Sequence, residues 1–219
     1  LKAFGAIADG VADDSAAHSS FLSSGGGLIE AGSYLVGGVV QRYVMPTFVD
    51  TTAGNNHAAG YNALRSMTTG FDNTAIGRQA MRDTTSGNRN TAVGLDALAK
   101  NTTGDHNLAF GQNALGFSMT GTYNTALGID ALEYGDGNNF NIAIGQYAAL
   151  NLSGSTSNTV AGYNTFASAN SGNRNAAFGK DTLTNQIAVD ANTAIGTEAG
   201  RDNISGTYLT LLGHRAARS

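Results

Sequence analysis

Asn73-Thr-Ala-Ile-Gly77 is followed seventeen residues later by Asn90-Thr-Ala-Val-Gly94, and that spacing holds along most of the chain. The string Asn-x-Ala-x-Gly, with valine for alanine once, starts at Asn56, Asn73, Asn90, Asn107, Asn124, Asn141, Asn158, Asn175 and Asn192, and Leu209-Thr-Leu-Leu-Gly213 opens a tenth copy. Counting the asparagine as position 1, position 5 is glycine in every copy, from Gly60 to Gly213. A second glycine column (Gly70, Gly87, Gly104, Gly121, Gly172, Gly206) closes most repeats. Repeats take precedence in reading a fold, and a 17-residue unit is too short for the two-helix repeats of roughly 33–47 residues. An unbroken period with glycine at fixed corners implies a parallel β-solenoid, one coil per repeat, because glycine turns at φ > 0 without steric penalty. Ten coils stacked at about 4.8 Å make a rod of roughly 43 Å. Alanine-rich pieces such as Leu95–Lys100 are under two helical turns long and bracketed by glycine and threonine, so helix is the weaker reading.

Stacked coils place like residues above like. Asn73, Asn90, Asn107, Asn124, Asn141, Asn158, Asn175 and Asn192 are therefore expected to form a ladder whose amides bond along the stack. Positions 3 and 4 are both apolar: alanine at 75, 92, 109, 126, 143, 177 and 194, then Ile76, Val93, Phe110, Leu127, Ile144, Phe178 and Ile195. Successive strand residues face opposite sides, so both columns cannot enter one core. One apolar face is either left to solvent or buried against another chain. A 17-residue perimeter lined by alanine encloses little core, so an intimate homotrimer with its axis along the rod is expected.

Composition excludes much else. The 219 residues include 30 Gly, one Pro and no Cys, with 13% charged residues and a net charge of −4. Twelve Lys and Arg make no polybasic nucleic-acid surface. No apolar run reaches the roughly 18 residues of a membrane span. Absence of cysteine removes thiol catalysis, disulfides and Cys-ligated zinc together.

Residues 1–55 lack the period and read as a lead-in to the solenoid at 56–219. Asp13, Asp14 or Ser15 can cap a short helix over Ser15–Ser24, followed by strands at Leu28–Ile29 and Tyr34–Val36 around an Ala31-Gly-Ser turn. The run Phe4-Gly-Ala-x-x-Asp-Gly-x-x-Asp-Asp, then Gly-Gly and x-Ala-Gly-x-Tyr-Leu-Val, resembles the opening coil of pectate-lyase-like phage tailspikes over residues 3–37. Glu30 stands where that pattern has proline. The resemblance implies a cap that starts a trimeric β-helix. The repeat itself resembles those of phage tail fibres processed by a self-cleaving chaperone, and the head repeats of trimeric autotransporter adhesins. Cleavage in the first group follows a serine, which fits a chain ending at Ser219, as does an arbitrary end.

Chemistry is sparse. The four histidines share no column, which argues against a metal site, and no cofactor motif occurs. A glycosidase needs two carboxylates about 5–10 Å apart. Asp181 and Glu198, one coil apart at position 7, are the weak candidates, in a column otherwise mixed with Asn, Gln and Asp. Position 17, just before the asparagine, places His106, Tyr123 and Phe140 on three successive coils, and Phe117 and Tyr134 stack six positions earlier. Aromatic faces with polar neighbours suit sugar rings, so these five are candidate glycan-binding residues; packing between chains is the competing role. The reading that results is a non-enzymatic structural and receptor-binding part of a phage tail fibre or tailspike. It would lie in the virion, meet host surface polysaccharide, and join other tail proteins through sequence upstream of Leu1. The alternatives are a polysaccharide depolymerase with intersubunit carboxylates, and the head of a trimeric adhesin on a bacterial surface.

Overall fold

The computed structural model describes residues 54–169, 171–185, 190–202 and 205–217 in full, with the backbone of the strands at 33–36, 39–42 and 49–51. The chain divides into two compact units, Leu1–Thr47 and Phe48–Ser219. In the first, β1 (Ser33–Val36) and β2 (Val39–Arg42) pair antiparallel, with Ser33 opposite Arg42 and Val36 opposite Val39. The expected Tyr34–Val36 strand is part of β1. The expected helix at 15–24 and strand at Leu28–Ile29 lie outside the described residues.

The second unit is a parallel β-solenoid. Its strands are β3 (Val49–Thr51), β4 (Asn56–Ala59), β5 (Thr74–Ile76), β6 (Thr91–Val93), β7 (Leu108–Phe110), β8 (Thr125–Leu127), β9 (Ile142–Ile144), β10 (Thr159–Ala161), β11 (Ala176–Phe178), β12 (Thr193–Ile195) and β13 (Thr210–Leu212). From β4 to β13 each strand pairs in parallel with the next at a register of one repeat, so Ala75 lies beside Ala92 and Ala92 beside Ala109. Antiparallel β3 covers the outer edge of β4, with Val49 opposite Ala58, removing one template for unwanted strand pairing. No helix occurs among the described residues; the alanine-rich pieces form turns.

Three residues per strand are enough because nearly every other turn of the coil also bonds to its neighbours. Gly94 N donates to Ile76 O of the preceding coil at 2.8 Å, while Leu98 N donates to Ala114 O of the following coil at 2.9 Å. Position 5 needs glycine twice over: Gly111 has φ +140°, and a Cβ there would strike the carbonyl of Gly128 one coil on. At position 15 close approach alone decides, since a Cβ on Gly104 would meet the carbonyl of Gly121.

The core is narrow. The position 3 alanines are fully buried, as are Met81, Leu98, Leu115, Leu132, Phe166 and Leu183 at position 9. Volume is conserved locally: where position 9 shrinks to Ala149, position 12 of the same coil is Leu152, and where it swells to Phe166, position 12 is Ala169. Such compensation keeps interior packing dense without strain. Position 4 points the other way. Ile76 is 47% exposed, Phe110 55%, Ile144 43% and Leu212 65%. Leu108 and Ile142 at position 2 add to the same outer face. These open apolar side chains recur from coil to coil along one face, and a contiguous apolar stripe of that kind marks an interaction surface.

Candidate functional site

In each coil from Asn56 to Asn192 the residues at positions 7, 9 and 17 lie in the left-handed region, all of them non-glycine except Gly200. In the coil from Asn90 these are Asp96 (φ 54°), Leu98 (51°) and His106 (58°). Each such L-residue costs of order 1–3 kcal/mol unless its surroundings over-determine it. Here they do: Asp96 N is bonded to Arg78 O, Leu98 N to Ala114 O and His106 N to Asn88 O, at 2.9–3.0 Å, up or down the stack. Position 17 thus projects its side chains from a backbone fixed by both neighbours.

On that backbone His106, Tyr123 and Phe140 form one continuous stack. The His106 and Tyr123 centroids lie 4.6 Å apart with planes 13° from parallel; Tyr123 and Phe140 lie 5.0 Å apart at 5°. Tyr123 is 50% exposed and Phe140 58%. Phe117 and Tyr134 make a second stack at 5.2 Å and 21°. The rings cover one another's faces and show their edges to solvent, so the faces that remain open are those at the ends of each stack. Beyond His106 comes Arg89, whose guanidinium turns to the preceding coil, 3.8 Å from the Asp72 carboxylate and 5.3 Å from the Phe71 ring. Beyond Phe140 comes exposed Ser157, then exposed Arg174. His106 Nδ1 is buried without a hydrogen-bond partner.

The asparagine column lies inside. Asn107 Nδ2 donates to Asn90 Oδ1 at 3.1 Å and to Gly121 O at 2.7 Å, and Asn107 N donates to the same Asn90 Oδ1 at 2.9 Å. Equivalent bonds recur from Asn73 through Asn90, Asn107, Asn124, Asn141 and Asn158 to Asn175, and Asn192 continues the column. All are buried.

Asp181 and Glu198 both sit at position 7, where the left-handed backbone favours short polar residues. Asp181 Oδ1 accepts from Asn164 Nδ2 at 2.7 Å, with Lys180 at 3.8 Å. Glu198 pairs with Arg215 at 2.9 Å and with Arg201 at 3.7 Å. The geometry gives both a role in the rod's own electrostatics.

Sequence reasoning passed over Glu133. It is 6% exposed, and burial, then the charge of Asp130, pushes its carboxyl above the ordinary 4.5 despite a hydrogen bond from Tyr134. It also passed over Tyr163, which meets Tyr147 edge-on at 5.9 Å and lies under Lys180. Writing the chain in rows of seventeen places Tyr163 and Lys180 in one column. Nothing in that alignment marks Glu133 as buried.

Two other acids move the opposite way. Asp83 is held down at about 2, first by hydrogen bonds from Arg82 and also by Lys100 at 3.1 Å. Burial of Asp136 would raise it, but donors on Thr120, Gly137 and Met119 outweigh that and lower it. Depressed carboxylates stabilise the fold above their unfolded value of about 3.9 and lose that contribution as pH falls through the folded one; raised Glu133 does the reverse. The melting temperature should therefore rise modestly as pH falls towards the ordinary 4.5 of Glu133, then fall below pH 4 as Asp83 and Asp136 are protonated. Glu133→Gln should abolish the first limb and leave the second, as read by circular dichroism melts.

Compared with known proteins, the chain matches no family model, no curated protein and no solved structure.

Proposed function

We propose that the chain is one third of a homotrimeric rod, the structural and receptor-binding part of a phage tail fibre or tailspike that meets host-surface glycan. The observation that carries this is the outer face of the β4–β13 sheet. Its position 4 column holds no charged residue in ten coils, and Ile76, Phe110, Ile144, Phe178, Ile195 and Leu212 in it are 38–65% exposed, an apolar stripe of the kind that marks an interface. The occupant best matched to a uniform stripe of one-coil pitch is a second copy of the same stripe, and a third closes the group. The position 17 column differs. Asp72, Arg89 and Arg174 stand in it, and covering it would bury charge, so it remains the solvent side and supplies the ring surface for sugar. The resemblance at residues 3–37 favours a phage tail over an adhesin head.

Light scattering of the purified chain should return three times 22.3 kDa. The same material should adhere to host capsule or lipopolysaccharide without releasing reducing ends or unsaturated uronate. A mass near one chain overturns the trimer. Turnover that disappears in Asp181→Asn replaces receptor binding with depolymerase chemistry.

A further inference from the structure

The position 17 column contains a gap of one ring. We infer that Ser157 is the floor of a slot between Phe140 and Arg174, and that the slot takes one acidic sugar of a surface glycan. The ring face would lie on Phe140 and the carboxylate on the Arg174 guanidinium. This rests on the glycan-binding reading above and gives that reading an address and a ligand class.

Rings in this column already stack at 4.6–5.0 Å, one per coil. At Ser157 the side chain is too small to continue the stack, so the outer face of Phe140 stays open. Two coils separate Phe140 from Arg174, roughly 10 Å at strand spacing, which leaves room for one ring between them. The backbone does not change across the gap. Phe140, Ser157 and Arg174 have φ 56°, 62° and 59°, and their amides bond to Thr122 O, Asn139 O and Thr156 O at 3.0–3.1 Å.

The column also shows what an arginine here does. Arg89 reaches back one coil, to Asp72 at 3.8 Å. Arg174 has the same backbone, and the preceding coil offers it Ser157 in place of an aspartate; no carboxylate pairs with it among the described residues. A carboxylate brought by a ligand would take the place that Asp72 holds beside Arg89. Arginine is suited to that contact through its planar fork, and an aromatic face suits the apolar face of a pyranose. The residues preceding Ser157 and Arg174 are polar, with Thr156 Oγ donating to Asn173 Oδ1 at 3.2 Å. Ala191 opens a similar gap one coil past Arg174, but an arginine that reaches backward leaves that side without its cation.

The test uses the labelled full chain on immobilised glucuronate-containing and neutral oligosaccharides. The wild type should prefer the acidic set. Ser157→Tyr fills the slot with a residue the column accepts at Tyr123 and Tyr208, and should weaken acidic binding about tenfold or more, as should Arg174→Gln. Equal melting temperatures confirm that Ser157→Tyr folds. Undiminished acidic binding by Ser157→Tyr overturns the slot and leaves the glycan reading intact. Equal binding of neutral and acidic sugars by the wild type overturns the ligand class. A wild type that retains no oligosaccharide while adhering to no host polysaccharide overturns the glycan reading itself.

Discussion

Asn124→Ala should destabilise the rod by about 3–5 kcal/mol, more than any exposed substitution on it. The Asn124 amide makes four side-chain bonds: Nδ2 donates to Asn107 Oδ1 at 3.1 Å and Asn138 O at 2.7 Å, and Oδ1 accepts from Asn141 N at 3.1 Å and Asn141 Nδ2 at 3.2 Å. Most partners keep a second bond. Asn107 Oδ1 still accepts Asn124 N, Asn138 O still accepts Thr122 N, and Asn141 Nδ2 still reaches Ser155 O. Asn141 N does not, and a buried unpaired donor costs about 1–3 kcal/mol. The lost bonds and a small cavity supply the rest. Solenoid coils contact only their neighbours, so stability is close to a sum of local terms. Hydrogen exchange should therefore accelerate at the strands β8 and β9 before the rod's ends respond. Asn124→Asp sharpens the test, because it keeps the acceptor for Asn141 N but places a charge in a buried column without a cation. Wild-type protection in β8 and β9 of the alanine variant would refute the ladder's energetic role.

How much of this was written in the sequence depends on what each column has to do. An asparagine that bonds to its own copy one coil away is hard to replace inside the stack, so the ladder appears as one letter in nine successive coils and gives way only at Leu209 in the tenth. The inward alanine and outward isoleucine are likewise legible, because neighbouring strand residues face opposite ways whatever the coil does elsewhere. The corners were not. Leu98 at φ 51° and Phe140 at φ 56° carry no sign of a left-handed backbone; position 7, with Asn62, Asp96, Asn113, Asp130, Asn164 and Asp181, is where the residues that region favours are concentrated. The cause is a reversal that exists only in the stack: Asp96 N bonds to the preceding coil and Leu98 N to the following one, two residues later. The same limit explains the carboxylates. Asp181 and Glu198 could be placed one coil apart from their spacing, but not their engagement with Asn164, Lys180, Arg201 and Arg215. The aromatic residues could be set on successive coils, but not the fact that their faces close on one another, which moves the open ring surface to the end of the stack.

The second large effect is expected on the opposite side of the sheet. Phe110→Asp with Ile144→Asp should convert the proposed trimer to single chains of 22.3 kDa while each chain keeps its solenoid. The two side chains are 55% and 43% exposed in the isolated chain, and both neighbouring inward residues, Ala109 and Ala143, remain in the core. For a free rod, two more aspartates on an exposed face change stability by about 0.5 kcal/mol or less each. In a trimer with this face inward, the same changes set three carboxylates around the axis at each of two levels. The effective penalty of burying an unpaired ion is several kcal/mol, and like charges close together add to it. Six such ions remove much of what hydrophobic burial returns at about 25 cal/mol per Å², and association has its own entropy cost to meet from what is left. Light scattering separates the two cases, and circular dichroism checks that the coils persist. An assembly of unchanged mass would show that the stripe is not the contact between chains, whereas loss of both mass and β-signal would show that the coils do not stand without their neighbours. The paired substitution Arg89→Asp with Arg174→Asp, on the position 17 column, should leave the mass unaltered, because the proposed trimer leaves that column facing water.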